Sequence, residues 1–195
     1  MDDNIQQNWE RFLTPEVLRT NLISASVYIA AFEILKDSII ERTREFYFPR
    51  FDENNQIDPK YQCDVLTKNK SVTYASLQWL KDVDAICDED IMKFNRIKEL
   101  RNLISHEMSK MLIDGLPPDL PERFNDIVSL LDKVEKWWII NFEIPTNPSL
   151  DNKEIDVKKI IPGRIASMSI MLDVALGSDE KAMYYINELK NKQRG

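Results

Sequence analysis

The chemistry-bearing residues of this chain gather in "RIKELRNLISHEM", residues 96–108, which contains its only histidine. Arg101 and Ser105 stand four residues apart, as do Asn102 and His106. On a helix that spacing stacks each pair on one face. At about 100° per residue the apolar stripe is Ile97, Leu100, Ile104, Met108 and Met111. Measured from Ile104, Arg101 lies ~60° round, Ser105 ~100°, Asn102 ~160° and His106 ~200°. His106 is thus expected opposite the core stripe, within a compact polar patch.

A guanidinium offers paired donors to phosphate oxygens, and an amide can orient a hydroxyl or a ring. Imidazole can take up a proton near neutral pH and return it. No Gly-rich phosphate loop, Ser/His/Asp set, carboxylate cluster or metal-ligand spacing competes with this patch. The chemistry it suits is metal-free acid–base work on a phosphodiester, with no cofactor. One His per chain leaves half of such a site unfilled. Two-fold pairing of the helix with a second copy would supply the other half, so a homodimer is expected.

The elements that must position the patch read as helices. The chain has 195 residues, 43% of them hydrophobic, with four Gly, which suits one sizeable core built from helices rather than a sheet with many tight turns. Thr14, Pro15 and Glu16 announce a first long helix running to about Phe48, with Leu18, Leu22, Ala25, Ile29, Phe32, Ile39 and Phe46 as its core stripe. Residues 49–70 read as a loop with one short helix from Pro59. A second helix is expected within 71–86. A third spans about 89–114, capped by Asp88 and ended by Gly115, and a fourth spans about 121–142. The fold class expected is all-α: an antiparallel four- to five-helix bundle over residues 14–145, preceded by an arm at 1–13. Residues 146–195 form a linker and a C-terminal helical extension, in which Ile165, Met168, Met171 and Leu172 are the packing face and Ser178 is a cap.

The formal charge of −7 argues against nucleic acid as a partner, but the charge is unevenly spread. Residues 91–111 carry Lys93, Arg96, Lys98, Arg101 and Lys110 against Glu99 and Glu107, a local +3 on an acidic chain. Cys63 and Cys87 are far apart without metal-ligand spacing and are expected as reduced, partly buried thiols. The acidic N-terminus has no apolar run after it, and no segment is long and apolar enough to span a bilayer, so a cytoplasmic protein without membrane association is expected.

"RNLISH" resembles the R-N-x-x-x-H motif of the HEPN superfamily, all-α domains whose catalytic members are metal-independent endoribonucleases. The resemblance implies a helical bundle that dimerises to bring two motifs into one cleft, and it carries over to Arg101, Asn102 and His106. Many members also place an acidic or polar residue on the first long helix, for which Glu33 in "AAFEILKDSI" is the candidate. An RNA substrate is implied, with a role as a toxin or phage-defence effector controlled by an antitoxin or an activating protein. Where one subgroup carries a modified Tyr two residues after the His, this chain has Met108, which disfavours that route of regulation. The alternative is a non-catalytic helical dimer of the same type that binds a protein partner or a nucleotide, its Arg and His serving an interface network.

Overall fold

The computed structural model describes residues 3–47, 58–150 and 155–192. Among these the chain forms eight α-helices and no strand. They are α1 (Asp3–Leu13), α2 (Pro15–Tyr47), α3 (Pro59–Tyr61), α4 (Val72–Asp82), α5 (Asp88–Asp114), α6 (Leu120–Trp138), α7 (Gly163–Leu176) and α8 (Asp179–Lys192). π-helical turns extend α3 over Gln62–Leu66 and α6 over Ile139–Glu143. The stretch 49–57 of the expected loop, with Pro49, falls outside the described residues.

The long helix α2 is the axis of an all-α bundle, packed by α1, α4, α5, α6 and α7. Neighbours on several sides make its buried face broad, while Ser26, Asp37 and Glu41 stay exposed opposite it. Ala25, Tyr28, Ala31, Leu35 and Ile39 are fully buried, and so are the polar Ser38 and Thr43. Thr43 satisfies its hydroxyl by donating to the carbonyl of Ile39 at 2.8 Å. The single stripe expected for this helix is therefore corrected. Leu22 and Phe46, placed in that stripe, are 41% and 47% exposed near the two ends of the helix. Phe46 packs laterally on the rings of Tyr47, Trp79 and Phe142 instead.

Residues 1–13, expected as an arm, contain α1, which packs on α2 and α5. Asn8 Nδ2 donates to Asp114 Oδ1 at 2.9 Å, tying it to the end of α5. The C-terminal extension shares the core of the bundle. Met168 is buried, and Ile165, Met171 and Leu172 pack against the same cluster. Its Arg164 reaches the buried Glu135 of α6, Nε to Oε1 3.2 Å. Glu135 also accepts from Ser38 Oγ at 2.5 Å and from Arg42 Nη2 at 2.8 Å, so one carboxylate joins α2, α6 and α7. A buried carboxylate is tolerated because three donors replace its lost water.

Two further corrections concern cysteines. The cap of α5 is Cys87 rather than Asp88, which is the first helical residue. Cys87 N–H donates to Asp90 Oδ2 at 2.9 Å, and the thiol lies 3.3 Å from the same oxygen. Both Cys63 and Cys87 are exposed rather than partly buried. Gly115 ends α5 at φ 103°, a backbone conformation that side chains rarely adopt.

Candidate active site

Helix α5 positions the patch, and its packing explains the orientation. Ile97 and Ile104 are fully buried, Leu100 and Met111 nearly so, and Met108 packs partly against the core. Four core residues in this register leave the opposite side of the helix facing water. Arg101 and Asn102 are half-buried on its flank, while Ser105 and His106 are exposed. The helix bends directly after His106, where Glu107 takes non-helical angles (φ −115°, ψ 20°). A continuous helix was expected over 89–114, and the bend sets residues 108–114 on a different course from the motif.

Arg101 is held from three sides. Its Nη2 donates to Glu33 Oε1 of α2 at 2.7 Å, and its Nη1 makes a long 3.4 Å bond to Asn102 Oδ1. The guanidinium carbon lies 5.5 Å from the centre of the Phe32 ring, within cation–π reach. Nε is buried and has no hydrogen-bond acceptor. Lys36, one turn along α2, pairs with the other oxygen of Glu33. Burial pulls the Glu33 carboxyl upward, but hydrogen bonds from Lys36 and Arg101 outweigh it and hold the group below its ordinary value. Glu33 is therefore ionised at neutral pH.

The register that brings Glu33 to Arg101 is set nearby. Tyr28 Oη donates to the carbonyl of Ile97 at 3.1 Å, and the Phe32 and Phe94 rings pack 5.8 Å apart. Burial pushes the Tyr28 phenol well above its usual range, so it remains a donor at all ordinary pH.

Of the five residues singled out in the sequence, Arg101, Asn102 and Glu33 are in mutual or chained contact. Ser105 and His106 lie on the same helix face, and among the described residues neither side chain has a hydrogen bond or ion pair. Lys36 and Phe32 belong to the same cluster and were legible only in part. Lys36 stands three residues after Glu33, an ordinary helical ion-pair spacing that reads in the sequence as a mere break in the apolar stripe. The support from Phe32 depends on how α2 packs against α5 and has no local signature.

Among the described residues no group of three His, Cys, Asp or Glu side chains is disposed to hold a metal ion, and no helix is long and apolar enough to cross a membrane. No family model matches the chain, and no curated protein or solved structure matches it significantly.

Proposed function

We propose that the protein is a metal-independent endoribonuclease of HEPN type that cleaves RNA by 2′-OH transesterification, working as a homodimer with a composite site. The observation that carries this reading is that His106 is exposed on the side of α5 opposite its core residues, with Arg101 and Asn102 half-buried on the flank beside it. The pairing of Glu33 with Arg101 supports it further, because it holds a guanidinium at the edge of that face.

In the reaction His106 takes the proton of the ribose 2′-OH or gives one to the departing 5′-oxygen, and its copy in the second chain performs the other transfer. Arg101 offers its Nη1 edge to the phosphorane, where negative charge develops. Asn102 orients the pair. The 2′-oxygen forms its bond to phosphorus as the bond to the 5′-oxygen breaks, leaving a 2′,3′-cyclic phosphate and a 5′-OH. A toxin or phage-defence effector in the cytoplasm, restrained by an antitoxin or released by an activating protein, is the biological role that accords with the resemblance.

The net charge of −7 and the engagement of Arg101 by Glu33 favour the second reading, a non-catalytic helical dimer that binds a protein partner or a nucleotide. Incubation of the purified protein with total RNA in EDTA, beside His106→Ala, separates the two. Cleavage by the wild type alone supports the ribonuclease. Intact RNA in both tubes supports the binding module.

A further inference from the structure

One helical turn before the motif, Lys98 lies three residues from Arg101 and four from Asn102, on the same side of α5. Its ammonium sits 4.7 Å from the centre of the Tyr74 ring of α4 and donates to Tyr74 Oη at 3.4 Å. Tyr74 Oη in turn donates to Asn95 Oδ1 at 2.7 Å. The chain Lys98 to Tyr74 to Asn95 thus fixes a flexible side chain against a half-buried ring, where its ordering entropy is already spent. An ammonium has three donors, and Tyr74 takes one, leaving two to offer a ligand.

Acidic residues outnumber basic ones by 33 to 26 in this protein, so a cation left without a carboxylate runs against its composition. On α5, Arg101 pairs with Glu33 and Lys110 with Glu107. Among the described residues Lys98 has no carboxylate partner, nor do Lys93 and Arg96 toward the start of the helix. A pre-positioned cation with spare donors, a turn away from the proposed phosphate-binding Arg, has the chemistry of a phosphate contact.

We propose that Lys98, braced by Tyr74 and Asn95, is the subsite for the phosphate next to the one cleaved, so that a single RNA strand lies along α5 from Asn95 toward His106. This rests on the ribonuclease reading for which phosphate is cleaved, while the contact itself is a binding property. Residues three and four apart on a helix have their Cβ atoms about 5–6 Å apart, close to the spacing of successive phosphates. That separation lets successive phosphates of one strand meet Lys98 and Arg101 in turn. The strand is single because attack in line by the 2′-oxygen requires a nucleotide released from regular stacking, the state in which RNA is most often read by proteins.

The test measures binding apart from cleavage. A short mixed-sequence 2′-O-methyl RNA, whose nucleophile is blocked, is titrated by fluorescence anisotropy into the wild type, Lys98→Ala and Lys98→Arg across a salt series. Loss of one phosphate contact on a single strand should make log Kobs against log salt shallower by about 0.7 for Lys98→Ala and weaken binding several-fold at low salt, with Lys98→Arg retaining the slope. On cleavable RNA, Lys98→Ala should raise KM several-fold and leave kcat within about twofold. A Lys98→Ala protein with wild-type affinity and slope, or a wild type that binds no RNA, overturns the subsite. A wild type that fails to cleave, yet binds with Lys98-dependent affinity and slope, overturns the ribonuclease and leaves the Lys98 phosphate contact standing as a binding site.

Discussion

Glu33 is the residue on which the local electrostatics turn, because it faces Lys36 and Arg101 together. Its folded-state pKa is depressed below 4.5, so its contribution to stability is fully present above that value and is lost as pH falls through the lower folded value. Thermal melts of wild type and Glu33→Gln should therefore differ by a constant margin near pH 7 and converge on acidification below pH ~4.5. A margin that widened in acid would contradict the pairing. His106→Ala and Arg101→Ala should each change urea stability by no more than about 1 kcal/mol, since one is exposed and the other is a partly exposed ion pair. Ile104→Ala, which empties a fully buried site, should cost ~2–5 kcal/mol in the same titration. The division of α5 into Ile104 inside and His106 outside was legible from spacing alone. The meeting of Arg101 with Glu33 was not derivable from spacing, because it depends on the register between two helices and joins residues 68 positions apart in the chain.

At the scale of elements, what holds α5 in place begins at its first turn. Asp90 is buried there, accepts from Cys87 N–H and pairs with Lys133 of α6. Burial raises its carboxyl pKa, but bonds from Lys133 and Cys87 prevail and hold it below 3.8. Asp90→Asn should cost about 1–2 kcal/mol at pH 7, as loss of a helix-end contact does, and the deficit should close as pH falls through the depressed value. The sequence offered Asp88 as the cap because Asp is the commoner capping residue. Here the Asp90 carboxylate three residues later accepts the Cys87 N–H, the reciprocal half of a capping box, and a cysteine in the cap position escapes a reading by residue type. A second end is also informative: Asp84, after α4, has φ 58°. Asp84→Gly should be neutral or stabilising and Asp84→Val destabilising by ~1 kcal/mol or more in chemical melts, since only the glycine lacks the steric penalty of that conformation.

For the whole molecule, the boundary between bundle and tail is the part of the chain least visible in advance. Helical periodicity found α7 and α8 and marked Met168 as part of a packing face, yet nothing in the spacing of residues 157–192 said that this face would enter the core of the bundle or that Arg164 would reach Glu135 across the chain. Truncation after Asn147 should expose the Met168 site and remove one of the cations on Glu135. Lower solubility and a lower melting temperature should follow, and a truncated chain as stable and soluble as the whole would detach the tail from the core. The composite site requires that light scattering at micromolar concentration report twice the 22.9 kDa chain mass. A persistent monomer would leave His106 without the partner that the two proton transfers demand.

The ribonuclease assignment is tested most directly by single-turnover cleavage of a defined RNA in EDTA, with the termini of the products analysed for wild type, His106→Ala and Arg101→Ala. The prediction is cleavage to 2′,3′-cyclic phosphate and 5′-OH ends by the wild type, slowed by ~10² or more in each variant. Cleavage that His106→Ala performs equally well, that stops on chelation, or that leaves 5′-phosphate ends would contradict it.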